Sequence, residues 1–451
     1  MPRPPNDLVI LSDEWRAQAF GFAGDPNART PVHDRLAATS WAFATAVSNC
    51  PVCCPIRASL LTGLYPDRHG VLLNDVSIDP ATPSLATAFA AAGYRTGYIG
   101  KWHIDGRGRQ AFIPRSRRLG FDHWQANECS HDYNRSIYYH GDDARPRYWR
   151  GYDADDQTAA MIDFIASASD RSQPWMGVLA WGPPHFPHET APEAHRARFS
   201  PERLTLRPNV PIGVERKFRQ ELAGYYAHGS ALDDCLGRIL DHLSATGADR
   251  DTLVIVTSDH GDMLGSHGVN YKQRPWDESI LVPLLIRPPS SWPWAPRRIA
   301  EPVGLIDLLP TLCGLAEVEA PAQIQGRDWS PWLRQGDALP DEPQLIACYA
   351  PFADFERRQG GCEYRGIRTA DTTYARTLEG PWLLYDNAAD PYQQCNLIGA
   401  DRERQSRAEQ LLQALLSRID DGFLPGDAYL HHWGWPVDAH GTVPYHHAIS
   451  R

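Results

Sequence analysis

Leu253-Val254-Ile255-Val256-Thr257-Ser258-Asp259-His260-Gly261 decides the fold class of this chain. Five apolar or β-branched residues read as a buried strand, and the strand stops on a polar cluster. The N-terminal run Leu8-Val9-Ile10-Leu11-Ser12-Asp13-Glu14 repeats the design. Turns put polar residues after many strands, but a Ser-Asp-(Glu or His) ending on two different strands is a repeated pattern with a purpose. In open α/β sheets ligands bind beyond the C-terminal ends of the strands. Asp13, Glu14, Asp259 and His260 are therefore expected along one sheet edge.

Further strands follow the same rule. Thr96 to Ile99 delivers Lys101 and His103 in Gly100-Lys101-Trp102-His103, and Met176 to Trp181 runs into Gly182-Pro183-Pro184-His185-Phe186-Pro187. Leu222, Tyr225, Tyr226, Gly229, Leu232, Leu236, Ile239, Leu240 and Leu243 recur every three or four residues, which predicts a helix over 219–243 with one buried face. Thr82 as cap, Pro83 in the first turn and Gly93 as terminator predict a short helix carrying Leu85 and Phe89. Alternating strands and helices make an α/β domain. From Ile104 to about Thr158 the pattern dissolves into loops rich in Arg115, Arg117, Arg118, Trp124, Tyr138, Tyr139, Tyr148, Trp149 and Tyr152. An insertion of that size beside a site is expected to wall a substrate.

Cys53-Cys54-Pro55-Ile56-Arg57, followed by Ala58-Ser59-Leu60-Leu61-Thr62-Gly63, opens a short apolar helix. It puts a sulfur, or an oxidised product of it, beside a fixed cation and a helix N-terminus, where anions are stabilised. Lysine usage is a second signal. Of 44 basic residues only Lys101, Lys217 and Lys272 are lysines. Where arginine is the default, a lysine marks a place for a compact ammonium. Lys101 and Lys272, the latter in His267-Gly268-Val269-Asn270-Tyr271-Lys272, have polar neighbours that fit this; Lys217 reads as a solvated surface residue.

The 451 residues suffice for a large core and a smaller one, and 42% hydrophobic with 22% charged content is ordinary for a globular protein. No apolar run has the length of a membrane span. The first residues, Met1-Pro2-Arg3-Pro4-Pro5-Asn6-Asp7, lack a signal-peptide core, so a cytoplasmic location is expected. Nine cysteines without regular spacing do not make a disulfide framework, and Cys50, Cys53 and Cys54 lack the second pair of a zinc finger. A net charge of −11 argues against nucleic acid as partner. It does not exclude an anionic substrate, because charges beyond the Debye length of about 8 Å are largely screened. Polar sequence between Gln335 and Pro343 divides a region 1–340 from a C-terminal region 341–451. In the latter, 372–376 and 382–385 read as strands and 406–419 as a helix. The aromatic, histidine-rich tail from His431 to His447 is expected to pack on the body or on a second copy of the chain.

Five segments together resemble the type I sulfatases of the alkaline phosphatase superfamily. They are Cys53 to Arg57, the Lys-x-His of Lys101 and His103, the Pro-His-x-Pro of Pro184 to Pro187, Asp259-His260-Gly261-Asp262, and Lys272. Val303 to Leu312 with Asp307, and Leu384-Tyr385-Asp386 with Asp390-Pro391 and Asn396-Leu397, resemble further landmarks. The resemblance implies an α/β, alkaline phosphatase-like fold. Its large, mostly parallel mixed sheet would be sandwiched by helices, with a smaller C-terminal α+β subdomain on a short antiparallel sheet. It further implies that a maturation enzyme converts Cys53 to formylglycine. Asp13, Glu14, Asp259 and His260 would hold a divalent cation with residue 53. Calcium is the ion the resemblance implies, while Glu14 and His260, where the family has aspartate and asparagine, leave magnesium or manganese open. Hydrated formylglycine would attack sulfur. Arg57 would anchor it, Lys101 and Lys272 would bind sulfate oxygens, and His103 would take the proton that expels sulfate. His185 or Lys272 would protonate the leaving alcohol, and His185 is preferred because histidine titrates near neutrality.

The expected substrate is a sulfate monoester on a carbohydrate. A phosphonate monoester or phosphodiester is the alternative, since the pocket's charge does not separate them, and a non-catalytic binding protein with unmodified Cys53 is the third reading. Ile56 stands where the family has serine or alanine, so conversion of Cys53 depends on whether the maturation enzyme reads that position.

Overall fold

The computed structural model describes residues 4–169 and 173–438. Its 11-stranded mixed sheet runs in the order β10-β2-β9-β8-β1-β7-β3-β4-β5-β6, with β11 also on β2. The strands are β1 (Asn6–Asp13), β2 (Trp41–Val47), β3 (Arg95–Lys101), β4 (His123–Asn127), β5 (Ile137–His140), β6 (Asp143–Tyr148), β7 (Trp175–Pro184), β8 (Thr252–Ser258), β9 (Leu281–Arg287), β10 (Arg297–Ile299) and β11 (Val303–Gly304). At the centre β8, β1, β7, β3 and β4 are parallel, with β1 in register against β8 from Asn6↔Thr252 to Ser12↔Ser258.

Strand β1 shows why these central strands read as unbroken apolar runs. Leu8 and Ile10 enter one core layer while Val9 and Leu11 enter the other, so both faces are buried. One layer is dominated by the helix Glu215–Thr246, which is longer than the 219–243 expected and buries its periodic face, including Leu222, Leu232 and Leu236. The other holds the helices Cys53–Thr62, Leu85–Ala91 and Leu308–Ala316. A second sheet of four antiparallel strands, β12 (Gln344–Cys348), β13 (Tyr364–Arg368), β14 (Thr372–Thr377) and β15 (Gly380–Asp386), carries the helix Arg402–Ile419. The fold is the expected one.

Several expectations are corrected. Ser84, not Thr82, caps the helix Leu85–Ala91, through a capping box with Thr87. The segment 104–158 is not all loop, because β4, β5 and β6 extend the main sheet from β3. These strands escape a pattern reading because they are short, and the edge strand β6 (Asp-Ala-Arg-Pro-Arg-Tyr) carries the proline and charges that block edge pairing. Gly182 to Pro184 lie inside β7. The tail folds back, with Trp433 and Trp435 donating their indole N–H groups to the carbonyls of Asp67 and Gly70 at 3.1 and 2.8 Å. His446 and His447 lie outside the described residues. No helix among the described residues is long and apolar enough to cross a membrane.

Candidate active site

The carboxyl ends of β8, β1, β7 and β3 lie side by side and deliver polar residues to one recess. β1 ends on Asp13 and leads into Glu14, β8 leads into Asp259 and His260, β7 into His185, and β3 ends on Lys101 with His103 just beyond. Cys53 is the first residue of its helix, reached by the turn after β2, where the Ser48 hydroxyl donates to the Asp259 carbonyl at 2.6 Å. Gly100 lets β3 pass β7 closely, since a Cβ there would lie 2.1 Å from the Ala180 carbonyl oxygen. All these site residues are buried, as is Lys272 from the loop after β8.

Ligand atoms of Asp13, Cys53, Asp259 and His260 lie within 4.8 Å of one another. His260 Nδ1 faces the Gly261 carbonyl at 3.0 Å and donates its hydrogen there. Its Nε2, 3.2 Å from Cys53 Sγ and 3.7 Å from a carboxylate oxygen of Asp13, is the nitrogen that would ligate a metal; without one, burial is outweighed by Asp259 and Cys53, which favour the charged ring. A divalent cation fits this donor set. Glu14 stands in an adjoining group with Asp13 and His185. Its carboxylate oxygens accept no hydrogen bond of good geometry among the described residues and face Lys272 Nζ and His185 Nε2, each at 3.2 Å. Burial pushes Glu14 well above the carboxylate range despite Lys272.

Cations surround the sulfur. Arg57 Nε donates to Asp259 at 2.9 Å and Nη2 to Asp13 at 3.3 Å, while Nη1 donates to the Lys101 carbonyl at 3.0 Å. Lys101 Nζ pairs with Asp13. Burial opposes ionisation of the Cys53 thiol, but Lys272, Lys101 and His260 outweigh it and hold the group well below the thiol range. Residue 53 thus sits where negative charge is stabilised. Lys272 Nζ is 2.9 Å from His185 Nε2, and His185 Nδ1 donates to the Phe186 carbonyl at 2.8 Å. Burial and Lys272 hold His185 well below its usual range, so in this arrangement the proton resides on Lys272.

Left-handed backbone is concentrated here. Glu14, Asp75, His103, Tyr271 and Gln273 have φ of 66°, 65°, 61°, 62° and 69°. Each costs about 1–2 kcal/mol in a non-glycine residue, and such strain collects at functional sites.

The structure brings all ten sequence-derived residues (Asp13, Glu14, Cys53, Arg57, Lys101, His103, His185, Asp259, His260 and Lys272) to this one edge, though Glu14 lies outside the four-residue metal group. Lys217 is exposed. The arginines of the 104–158 segment do not make a free cationic wall. Arg115 pairs with Asp122, Arg117 with Asp105, and Arg118 with Asp142. Trp124, Tyr139, Trp149 and Tyr152 are buried. Sequence reasoning missed Asp75, which is 3.2 Å from His103 Nε2, and Cys129 and His131, the latter stacked on His185 with ring centroids 4.4 Å apart. Cys129 follows β4, a strand whose recognition would have placed it at the same edge. Cys54 is buried and accepts the Asp75 N–H at 3.3 Å.

Comparison with known proteins gives a consistent result. Residues 5–318 match the family model described as Sulfatase, and residues 265–421 match that of the N-sulphoglucosamine sulphohydrolase C-terminal region. An ulvan-active sulfatase of Formosa agariphila is 42% identical, covering 98% of this chain and 87% of that protein. An endo-4-O-sulfatase of Bacteroides thetaiotaomicron is 28% identical, covering 92% of each. A solved Bacteroides thetaiotaomicron structure from work on glycosaminoglycan metabolism superposes with a TM-score of 0.84 at 26% identity, covering 93% of this chain and 97% of that one.

Proposed function

The chain belongs to the sulfatase family of the alkaline phosphatase superfamily and hydrolyses sulfate esters, and from that premise we propose that its substrate is a sulfate carried on a carbohydrate. The observation that carries the reading is the 42% identity to an ulvan-active sulfatase over nearly the whole chain. The endo-4-O-sulfatase supports the same substrate class.

Hydrated formylglycine made from Cys53 would supply the nucleophilic oxygen, and a divalent ion held by Asp13, Asp259, His260 and residue 53 would acidify it, calcium by family resemblance with magnesium or manganese compatible with the His260 nitrogen. Arg57, tied to Asp13 and Asp259, fixes the carboxylates and keeps a positive charge beneath residue 53. Lys101 and Lys272 are compact donors for the sulfate oxygens, and their value grows in a recess from which water is excluded. His103 accepts a proton at Nδ1. Burial disfavours its charged form, but the Cys129 and Cys54 sulfurs and Asp75 more than offset this, so the ring is a strong base. The Lys272–His185 pair serves the leaving alcohol. Lys272 holds the proton, and His185, anchored on Phe186, orients it. A sugar alcohol is a poor leaving group and needs that proton more than a phenol does.

Parallel assays of sulfated oligosaccharides, aryl sulfates, phosphodiesters and phosphonate monoesters test the proposal. Turnover of the sulfated sugar is the expected result, and a much higher efficiency on the phosphodiester overturns it. Mass spectrometry of the Cys53 peptide, from a host that contains the maturation enzyme, is expected to find the aldehyde. An intact thiol there supports the non-catalytic binding reading.

A further inference from the structure

We propose that Asp75 is a positioning residue that fixes the ring of His103, and that Arg109 holds Asp75 in place from the solvent side. The proposal rests on the reading of His103 as the proton acceptor.

Asp75 Oδ1 lies 3.2 Å from His103 Nε2. An ionised carboxylate only accepts hydrogen bonds, so Nε2 carries a ring hydrogen in either protonation state, and Nδ1 is the nitrogen left to exchange a proton with the site. Nδ1 is buried without a hydrogen-bond partner among the described residues, on a ring that lies against the sulfurs of Cys53, Cys54 and Cys129. Arg109 grips Asp75 with two donors, Nη2 at 3.1 Å from Oδ2 and Nε at 3.4 Å from Oδ1. Side-chain exposure rises along the chain of contacts from 2% at His103 to 17% at Asp75 and 42% at Arg109. The charge of the carboxylate is thus balanced at the rim and not within the recess.

The backbone is built around this contact. Asp75 N–H donates to Cys54 Sγ at 3.3 Å, and the Asn74 side chain accepts the Cys54 N–H at 3.0 Å. One residue therefore joins the start of the Cys53 helix to the end of β3. Asp75 and His103 both adopt left-handed backbone, at φ of 65° and 61°, a cost that a simple surface staple would not require. A staple between loops is already provided a few residues away by the Ile78 N–H to Ile104 carbonyl bond at 3.0 Å.

The test compares Asp75→Ala, Asp75→Asn, Arg109→Ala, His103→Gln and the double variant Asp75→Ala/His103→Gln in matured enzyme on an aryl sulfate. Asp75→Ala is expected to lower kcat by about 10- to 100-fold with KM unchanged, and added formate to restore part of the rate. The double variant should be no slower than His103→Gln alone. Asp75→Asn covers the case in which the alanine chain fails to fold. Its amide turned toward Nε2 favours the opposite tautomer, so kcat should fall as with alanine. Arg109→Ala should give a smaller loss of the same kind. A readout independent of turnover is the 15N spectrum of the histidine rings in the Cys53→Ala chain. The His103 Nε2–H form should be replaced by a tautomer mixture when Asp75→Ala is added. Wild-type kcat in Asp75→Ala, a full further loss in the double variant, or an unchanged His103 spectrum each overturns the proposal. Wild-type turnover by His103→Gln overturns the base reading instead, and the ring spectrum still decides whether Asp75 sets the tautomer.

Discussion

Lys272 links two groups of the recess, Glu14 and His185. Its ammonium is 3.2 Å from Glu14 and 2.9 Å from His185. Replacing it with alanine removes a donor to the transferring sulfate and leaves Glu14 buried without its cation. The loss in kcat is expected to be about 100- to 1000-fold, measured on the matured enzyme, and Lys272→Arg should not rescue it because a planar fork does not fit a compact ammonium site. Rescue by arginine would show that only the charge matters. The lysine was legible from composition, being one of three in an arginine-writing chain. Asp75 and Arg109 were not, because an aspartate in a loop looks the same whether it faces water or a histidine.

At the level of elements, the helix Cys53–Thr62 is the decisive one, and every residue in it is buried. Ile56, the departure from the family pattern, is fully buried in the core. Cys53 is buried in this fold, so we propose that conversion by a maturation enzyme would precede folding. Folded thiol enzyme incubated with the maturation enzyme should keep its thiol, and conversion under those conditions would disprove this. The same helix is braced by His69, whose ring faces the Ser59 hydroxyl at 3.0 Å through Nε2 and accepts the Val71 N–H at 3.1 Å through Nδ1. Burial lowers its pKa from 6.5 to about 3. The unfolded chain then binds the proton first, so the stabilisation is full above pH 6.5 and is lost as pH falls toward 3. Each pH unit in that window costs up to about 1.4 kcal/mol. His69→Asn, which keeps an acceptor for Val71 but does not titrate, should flatten the denaturant midpoint between pH 7 and 5. An unchanged slope would remove His69 as the cause.

Over the whole molecule, one hydrophobic cluster contains Val9 and Leu11 of β1 together with Leu345, Ile367, Tyr374 and Leu412 of the small sheet and its helix. Arg368 of the small sheet pairs at 2.9 Å with Asp277 of the body, binding the two further together, while the buried Arg365–Asp421 pair braces the C-terminal region internally. We propose the division at 340/341 as architectural and not as a folding boundary. Calorimetry should find one cooperative transition, and two separable transitions would contradict this. A cation that binds the native state alone would also be coupled to stability. Saturation at about 100-fold above Kd adds about 2.7 kcal/mol, so a chelator should lower Tm and abolish turnover together. Return of both on adding calcium, magnesium or manganese identifies the ion, and a Tm indifferent to chelation would remove the metal reading.

The sequence alone determined the central strands, the long helix and the polar residues at the strand ends, because burial on both faces and on one helical stripe imposes periodicities that survive in one dimension. It determined too that Asp13, Cys53, Lys101, His185 and Asp259 belong together, through the order of short motifs. Tertiary structure decided the rest. It made strands within 123–148, whose edge position needs no apolar alternation. It turned Glu14 toward Lys272 and His185, and it set Asp75 against His103. Those outcomes depend on side chains far apart in the chain meeting at one distance and angle, and no local pattern records that.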